Sequence, residues 1–94
     1  MNDRWHFEGF DEAYEIWKER DTPARNLREE VLDWFISLET NQYRRATRLS
    51  EFGPDWWWAR AAETPTHAVI CQYQVDEGRQ ALLVRNLATL RKPI

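Results

Sequence analysis

Two apolar runs that flank a turn sequence constrain the fold of this chain more than any other feature. The runs HAVICQYQV and QALLVRNLATL meet at the turn sequence DEGR, residues 76–79. In the first run, apolar residues occupy every second position from Val69 to Val75, which is typical of a β-strand with one buried side. The pattern predicts a β-hairpin over 67–90 whose odd-numbered positions in the first strand face the core.

The turn determines which residues pair across this hairpin. Gly78 tolerates a positive φ, which short hairpin loops need. We expect Val75 to pair with Gln80, which leaves Arg85 on the open face of the sheet, the face turned away from the core. A register shifted by one residue would instead bury the Arg85 guanidinium without a partner.

Length and cysteine content limit the class of protein. A chain of 94 residues predicts one domain, 1–94, with a single core. Its one cysteine, Cys71, excludes an intrachain disulfide and a cysteine-based metal site, so we expect a buried thiol, no metal, no other cofactor and a cytoplasmic location. No apolar run approaches the roughly 20 residues of a membrane span, and the first ten residues lack the apolar region of a signal peptide.

Charge is distributed unevenly along the chain, although the net charge is only −3. Residues 1–43 carry five Lys/Arg and eleven Asp/Glu, whereas residues 44–94 carry eight and five. The imbalance has two interpretations, which the sequence leaves open. One is a solvated acidic surface on the helices, and the other is a basic sheet face that binds a polyanion.

Two helices are predicted by apolar residues spaced three and four apart. The first covers 11–20. The second follows Thr22, which we expect to cap it, and Pro23, which suits a first helical turn. The two helices would form an αα-hairpin. The apolar residues that they are expected to bury are Phe10, Ala13, Tyr14, Trp17, Ala24, Leu27, Val31, Trp34, Phe35 and Leu38.

Three further strands complete the prediction. A short strand lies within 4–10, an edge strand lies near 46–49, and a third covers 56–62. In the last of these, Trp57 alternates with Trp56 and Trp58, so Trp57 is expected to face the helices and the other two the open face. The order β-α-α-β-β-β-β predicts an α+β fold, in which a helical hairpin packs on one face of a mostly antiparallel twisted sheet.

This order, together with two segments, resembles the RelE/ParE superfamily of bacterial toxins. RLSEFGPDWW, which leads into the third strand, is similar to the family's lysine-leucine-glycine-proline stretch, and YQVDEG is similar to its tyrosine-x-valine-aspartate hairpin. The resemblance covers nearly the whole chain, but neither segment is a catalytic motif. It implies a RelE/ParE-like fold and the toxin of a type II toxin–antitoxin system, bound by a cognate antitoxin.

Three activities are compatible with this resemblance and remain open. A RelE-like toxin would inhibit translation as a metal-independent endoribonuclease that cleaves mRNA on the ribosome. A ParE-like toxin would inhibit DNA gyrase without nuclease activity, and a catalytically silent relative would act only as a binding module. Cleavage of RNA would require activation of the 2′-OH, cations around the developing phosphorane and an acid for the leaving oxygen.

The resemblance also implies positions for a site on the open face. Arg60 stands where RelE-like enzymes place a cation, whereas Trp58 and Ile70 stand where the family often has further cations. The chain ends LATLRKPI, without the family's terminal tyrosine or histidine. We expect the catalytic residues to be Arg60, Arg85 and Arg91, and the nucleic-acid or antitoxin-binding residues to be Trp56, Trp58, Arg45, Arg48 and Lys92.

No general acid or base is assigned by the sequence. The candidates are His67, at the start of a strand, and Glu51 and Glu63, which could act as a base at the rim of the sheet. Tyr73 is expected in the core. For Trp56 and Trp58, docking of a protein partner, stacking on nucleic-acid bases and partial burial without function all remain open.

Overall fold

A computed structural model describes residues 4–93, which form a five-stranded sheet with two helices on one face. The predicted α+β fold and its β-α-α-β-β-β-β order are confirmed. The predicted domain boundaries, 1 and 94, lie outside the described residues. The elements are β1 (His6–Glu8), α1 (Phe10–Asp21), α2 (Arg25–Ser37), β2 (Ala46–Arg48), β3 (Trp56–Glu63), β4 (His67–Asp76) and β5 (Ala81–Arg91).

The predicted hairpin occupies the middle of the sheet. The strand order is β1-β5-β4-β3-β2, so β4 and β5 are flanked on both sides. β1 pairs in parallel with β5, and the other three pairs are antiparallel, as a mostly antiparallel sheet requires. β2 is an edge strand, as its sequence predicted.

One core lies between the helices and the sheet. α1 packs on β5, and α2 packs on β3. The predicted odd-numbered side of β4 faces this core, while Tyr14, Phe35 and Trp57 are partly buried against it. The buried residues that confirm the prediction are Phe10, Ala13, Trp17, Leu27, Val31, Trp34, Leu38, Val69, Cys71, Tyr73 and Val75.

Large aromatic side chains in the core have partners for their polar atoms. The Nε1 of Trp17 donates to Thr89 Oγ1 at 2.8 Å, and the Nε1 of Trp34 donates to the backbone oxygen of Arg44 at 3.1 Å. A buried N–H without an acceptor would be destabilising, so these bonds let the two indoles be buried completely. They also fasten α1 to β5, and α2 to the chain that enters β2.

The hairpin register differs from the prediction. Val75 pairs with Leu82 instead of Gln80, because the loop spans residues 77–80, one position later than the predicted turn at 76–79. Gln80, with φ of 51°, adopts the left-handed conformation that was predicted for Gly78. The observed partner of Val75 is two residues away from the predicted one. Because side chains alternate between the two faces with a period of two, each hairpin residue near the turn still projects to its predicted face.

Arg85 lies on the open face, at a β-bulge in β5. Tyr73 pairs with Val84 and Gln72 pairs with Asn86, so Arg85 is the extra residue. Its Nε donates to Gln74 Oε1 at 2.6 Å. The predicted exposure of Arg85 on this face is therefore confirmed, although the predicted pairing is wrong.

Thr22 ends α1 instead of capping α2. It adopts a left-handed conformation with φ of 41°, and its backbone N–H donates to Lys18 O at 3.1 Å. The residue before a proline is hindered from continuing an α-helix, so Thr22 closes the helix ahead of Pro23. The N-cap of α2 is Ala24, which has an extended backbone and makes no side-chain capping hydrogen bond.

Candidate functional site on the open face of the sheet

A groove of about 420 Å³ crosses the open face at the end of the central hairpin. Most of its lining is apolar, and three cationic side chains contribute to it. The lining residues, which define the groove below, are Leu49, Trp58, Arg60, Ala68, Ile70, Gln72, Leu90, Arg91, Lys92 and Pro93. Part of this apolar lining is in contact with solvent, since Leu90 is 55% exposed.

Strand pairing explains why these residues share one surface. Trp58 lies opposite Gln72, and Arg60 lies opposite Ile70 across the β3–β4 ladder. Residues directly opposite each other in a ladder project to the same face, and residues two apart along a strand do so as well. The alternation that buries the odd-numbered side chains of β4 therefore directs these four side chains into the groove.

A β-bulge in β3 brings Glu63 to the same face as Arg60. Arg60 pairs with Ile70 and Ala62 pairs with Val69, so Ala61 is an extra residue. Without a bulge, side chains three residues apart on a strand would point to opposite faces. Because of the extra residue, the Glu63 side chain projects to the same face as that of Arg60, and Glu63 lies opposite Ala68 beside the groove.

Glu63 binds two cations through one oxygen atom. Its Oε2 is 2.5 Å from Lys92 Nζ and 3.5 Å from Arg60 Nη1. The hydrogen bond from Lys92, followed by the positive charges of Lys92, Arg60 and Arg45, lowers the pKa of the Glu63 carboxyl. A carboxyl with a lowered pKa is a poor proton acceptor at neutral pH, so this environment argues against Glu63 as a general base.

A second depression, of about 390 Å³, adjoins the groove on the side of β2. Arg45, Thr47 and Glu63 line it together with Trp58 and Arg60, which belong to both cavities. Trp58 and Arg60 therefore stand between two neighbouring depressions. Arg45, predicted as a binding residue, lies beside the groove on this surface.

The predicted site residues do not all converge. Arg60, Arg91, Trp58 and Lys92 line the groove, whereas Arg85 is held by Gln74 elsewhere on the open face. Gln74 in turn donates to Asp55 Oδ2 at 2.9 Å.

Trp56 and Arg48 also lie outside the groove. Trp56 packs edge-on against Phe52, with ring centroids 5.5 Å apart. Arg48 stacks over Trp57 on the helix-facing side, with its guanidinium carbon 5.2 Å from the ring centroid. Arg48 pairs with Trp57 in the ladder, and that pairing fixes its face.

Within residues 4–93, no histidine, tyrosine or carboxylate side chain lines the groove. Tyr73 lies in the core, as predicted; it donates to Gln42 O at 2.9 Å, and burial raises the pKa of its phenol. His67 Nδ1 is 2.8 Å from Thr66 Oγ1, and Glu51 is exposed in the turn before β3. The arrangement can therefore hold an anion and stack a planar ring, but it offers no obvious proton carrier.

Residues 4–93 contain no group of three or more His, Cys, Asp or Glu side chains arranged to hold a metal ion. None of their helices combines the length and apolarity needed to cross a membrane.

Two features of the groove were missed by the sequence analysis. Gln72 lines it, and this position follows from the same alternation that assigns Ile70 to the open face. The placement of Glu63 depends on the bulge at Ala61, for which the pair of alanines in WWWARAAE is only a weak signal.

Comparison with known proteins identifies the fold. No protein-family model and no curated protein sequence matches the chain. A solved structure of the E. coli toxin RelE in the free state, carrying two arginine-to-alanine replacements, is similar to it with a TM-score of 0.61 and 13% identity. The similarity covers 89% of this chain and 81% of that one. The chain therefore has a RelE-like fold, as its sequence predicted.

Proposed function

We propose that this protein is the toxin of a type II toxin–antitoxin system and inhibits translation by cleaving mRNA on the ribosome. The observation that supports this most directly is the groove, where Trp58 and Arg60 meet Arg91 and Lys92 on the sheet face opposite α1 and α2. An indole beside fixed cations suits a single-stranded nucleic acid, because every base has a face that can stack and every nucleotide a phosphate.

The proposed chemistry is transfer of a phosphodiester to its neighbouring 2′-OH. The 2′ oxygen forms a bond to phosphorus, the bond from phosphorus to the 5′ oxygen breaks, and the leaving oxygen takes a proton. Arg60 would stabilise the negative charge that develops on the phosphorane, and Arg91 and Lys92 would add to the positive field. No metal takes part, and water or the ribosome would carry the protons.

An antitoxin would bind the same open face. The groove combines apolar walls with a cationic rim, and an amphipathic segment with acidic residues is complementary to such a surface. In that case the antitoxin would inhibit the toxin by occupying the surface that RNA needs. The protein would act in the cytoplasm, where its ribosomal target is located.

The test is primer extension on mRNA in a translating extract, with wild-type protein beside Arg60→Ala. A fixed guanidinium aimed at transition-state charge is worth about 3–4 kcal/mol, so cleavage should fall roughly 10²–10³-fold. The matched control is Arg79→Ala, because Arg79 is exposed in the hairpin loop and its ion pairs, with Glu8 and Asp76, are both 3.9 Å long. Equal cleavage by wild type and Arg60→Ala would remove Arg60 from the site.

A second candidate function is inhibition without cleavage, as in gyrase-inhibiting toxins or a silent binding module. It is favoured by the largely apolar lining of the groove and by the lack of a proton-transfer side chain in it among residues 4–93. The same experiment separates the candidates. Absence of cleavage by the wild type, together with inhibited gyrase supercoiling, would favour the gyrase toxin, and absence of both would favour the binding module.

A further inference from the structure

We propose that Glu63 is a built-in counterion, which occupies the anion position between Arg60 and Lys92 and must turn away before a phosphate group can bind there. Glu63 would then limit the affinity of this surface for polyanions. The inference rests on the proposed function in taking an RNA phosphate as the natural ligand. Glu63 would oppose the binding of an anion, which the neighbouring cations favour.

Two cations converge on a single oxygen of Glu63. Lys92 Nζ and Arg60 Nη1 both face Oε2 of Glu63, at 2.5 Å and 3.5 Å. A non-bridging phosphate oxygen carries the same kind of charge and accepts the same charge-assisted hydrogen bonds. The carboxylate therefore stands where a phosphate oxygen would be stabilised, and the two anions compete for one position.

The backbone of β3 presents the Glu63 side chain to this surface. The bulge at Ala61 turns Glu63 toward the open face, and bulges are a recurrent means of re-aiming a side chain near a functional site. The backbone N–H of Glu63 donates to Glu30 Oε2 at 2.7 Å, which fixes the end of β3. The backbone is anchored, but the side chain is not enclosed.

The Glu63 carboxylate can turn away from the two cations because it is partly exposed. The side chains of Glu63, Arg60 and Lys92 are 42%, 55% and 29% exposed, so water reaches all three groups once they separate. Ion pairs at such exposed positions are weak. An arriving RNA, which brings several phosphates and releases counterions, can displace a single carboxylate of this kind.

The competing explanation is that Glu63 only holds Lys92 and the end of β5 in place. The end of β5 has an independent anchor, because the backbone N–H of Lys92 donates to Thr66 O at 2.8 Å. The two explanations predict opposite effects of removing the charge. If Glu63 is purely structural, removing its charge leaves the cations less ordered and weakens anion binding. If Glu63 is a counterion, removing its charge frees the cations and strengthens anion binding.

The experiment compares Glu63→Gln with wild type in binding two probes, inorganic tripolyphosphate by calorimetry and a fluorescent single-stranded RNA oligonucleotide by anisotropy. Loss of one unit charge about 4 Å from the anion should tighten binding of each probe about 3–10-fold at low salt. For RNA, the slope of log K against log salt should steepen by about 0.7, as expected for one additional phosphate neutralised on a single strand.

Two controls make the result specific. Glu15→Gln removes the same charge from the outer surface of α1, where Glu15 pairs with Lys18 at 3.2 Å, and should change neither affinity by more than a small factor. Glu63→Asp keeps the charge but shortens the reach, so tighter binding of intermediate size is expected. A urea midpoint for each variant shows whether it is folded, and Glu63→Asp keeps the test decisive if Glu63→Gln does not fold.

The outcomes separate this inference from the proposed function. Equal or weaker binding of tripolyphosphate by the folded Glu63 variants than by Glu15→Gln overturns the inference. Tighter binding that persists in a background of Arg60→Ala with Lys92→Met overturns it as well, because the effect would not pass through those cations. If the Glu63 variants bind tripolyphosphate more tightly but the wild type cleaves no mRNA, the proposed nuclease activity is wrong and the counterion role of Glu63 still holds.

Discussion

The two faces of the same sheet use aromatic residues in opposite ways. On the helix-facing side, Trp17 and Trp34 are 0% and 2% exposed, and each indole N–H is held by an oxygen of another segment. On the open face, Trp58 is only half-buried and lines a groove beside Arg60 and Lys92. The difference arises because Trp17 and Trp34 lie on the core-facing sides of α1 and α2, whereas strand parity turns Trp58 to the face that these two helices leave open.

This comparison indicates how fold and function are divided in a small domain. The helix-facing side carries most of the buried apolar surface, the largest source of stability, so changes there should act on folding. The open face contributes less to stability and presents charge, so changes there should act on binding. Replacing the same type of residue on each of the two faces can test this division.

The largest expected effect is on the helix-facing side. Trp34→Ala should lower the free energy of unfolding by about 3–5 kcal/mol, through lost transfer energy and the cavity that remains. The ring is 2% exposed and lies edge-on to Tyr73, with centroids 6.0 Å apart, so its removal takes a large apolar side chain out of the core. Urea denaturation measures the change.

The matched variant on the open face is Trp58→Ala. It should lower the free energy of unfolding by only about 1 kcal/mol, because its ring is partly solvated before the change. Comparable losses in the two variants would contradict the division between faces, and an unchanged midpoint for Trp34→Ala would place that residue outside the core.

The next effect concerns affinity. Trp58→Ala should weaken binding of a single-stranded RNA oligonucleotide by about 1–3 kcal/mol, the usual contribution of one stacked base. Trp56→Ala is the control, because Trp56 lies on the same face but packs against Phe52 outside the groove. Fluorescence anisotropy measures both. An equal loss in the two variants would assign binding to the whole face instead of the groove.

A smaller effect depends on pH and arises where α1 is fastened to β5. Asp21 accepts the backbone N–H of Thr89 at 2.9 Å and Arg20 Nε at 2.8 Å. The hydrogen bond from Arg20, followed by that from Thr89, lowers the pKa of the Asp21 carboxyl in the folded state. The stabilisation is therefore complete above the unfolded-state pKa and is lost as pH falls through the folded-state value.

Asp21→Asn tests this linkage by urea denaturation at pH 7 and at pH 3. The amide can still accept the Thr89 N–H, so the variant should lose only about 1 kcal/mol at neutral pH. The difference in free energy of unfolding between wild type and the variant should become smaller as the solution is acidified, because protonation removes the same charge from wild type. A difference that is constant with pH would show that the carboxylate charge contributes nothing.

The smallest effect separates two arginines of the YRRATR segment. Arg48→Gln should lose about 0.5–1 kcal/mol of stability with its contact to the Trp57 ring and should leave RNA affinity unchanged. Arg45→Gln should do the reverse, since Arg45 lies beside Trp58 and Arg60 in the second depression. Loss of RNA affinity in Arg48→Gln would show that nucleic acid also reaches the helix-facing side.

Much of the fold could be predicted because it depends on periodicity. Alternation in β4 and the three-and-four spacing in α1 and α2 determine which side chains are buried, and both are visible in the sequence. The hairpin register was wrong because the loop lies at 77–80, one position later than the predicted turn at 76–79, with Gln80 in the left-handed conformation. The two-residue error did not change the facing of β4.

Less of the candidate site could be predicted, for two physical reasons. A bulge shifts side-chain facing by one position and leaves little trace in the sequence, which is why Glu63 was considered only as a base at the rim. Arg48 was assigned to the binding surface because its segment is basic, whereas its pairing with Trp57 turns it to the other face. Charge composition identifies a basic segment but does not determine which residues share a surface.

The division between the two faces can be tested most directly by the indole N–H resonances of the tryptophans in ¹⁵N-labelled protein, recorded during titration with a single-stranded RNA oligonucleotide. Trp17, Trp34 and Trp58 place reporters on both faces of one sheet. The account predicts that the Trp58 resonance shifts with RNA concentration, while those of Trp17 and Trp34 do not move. Saturable RNA binding with shifts at Trp17 or Trp34 and none at Trp58 would contradict it.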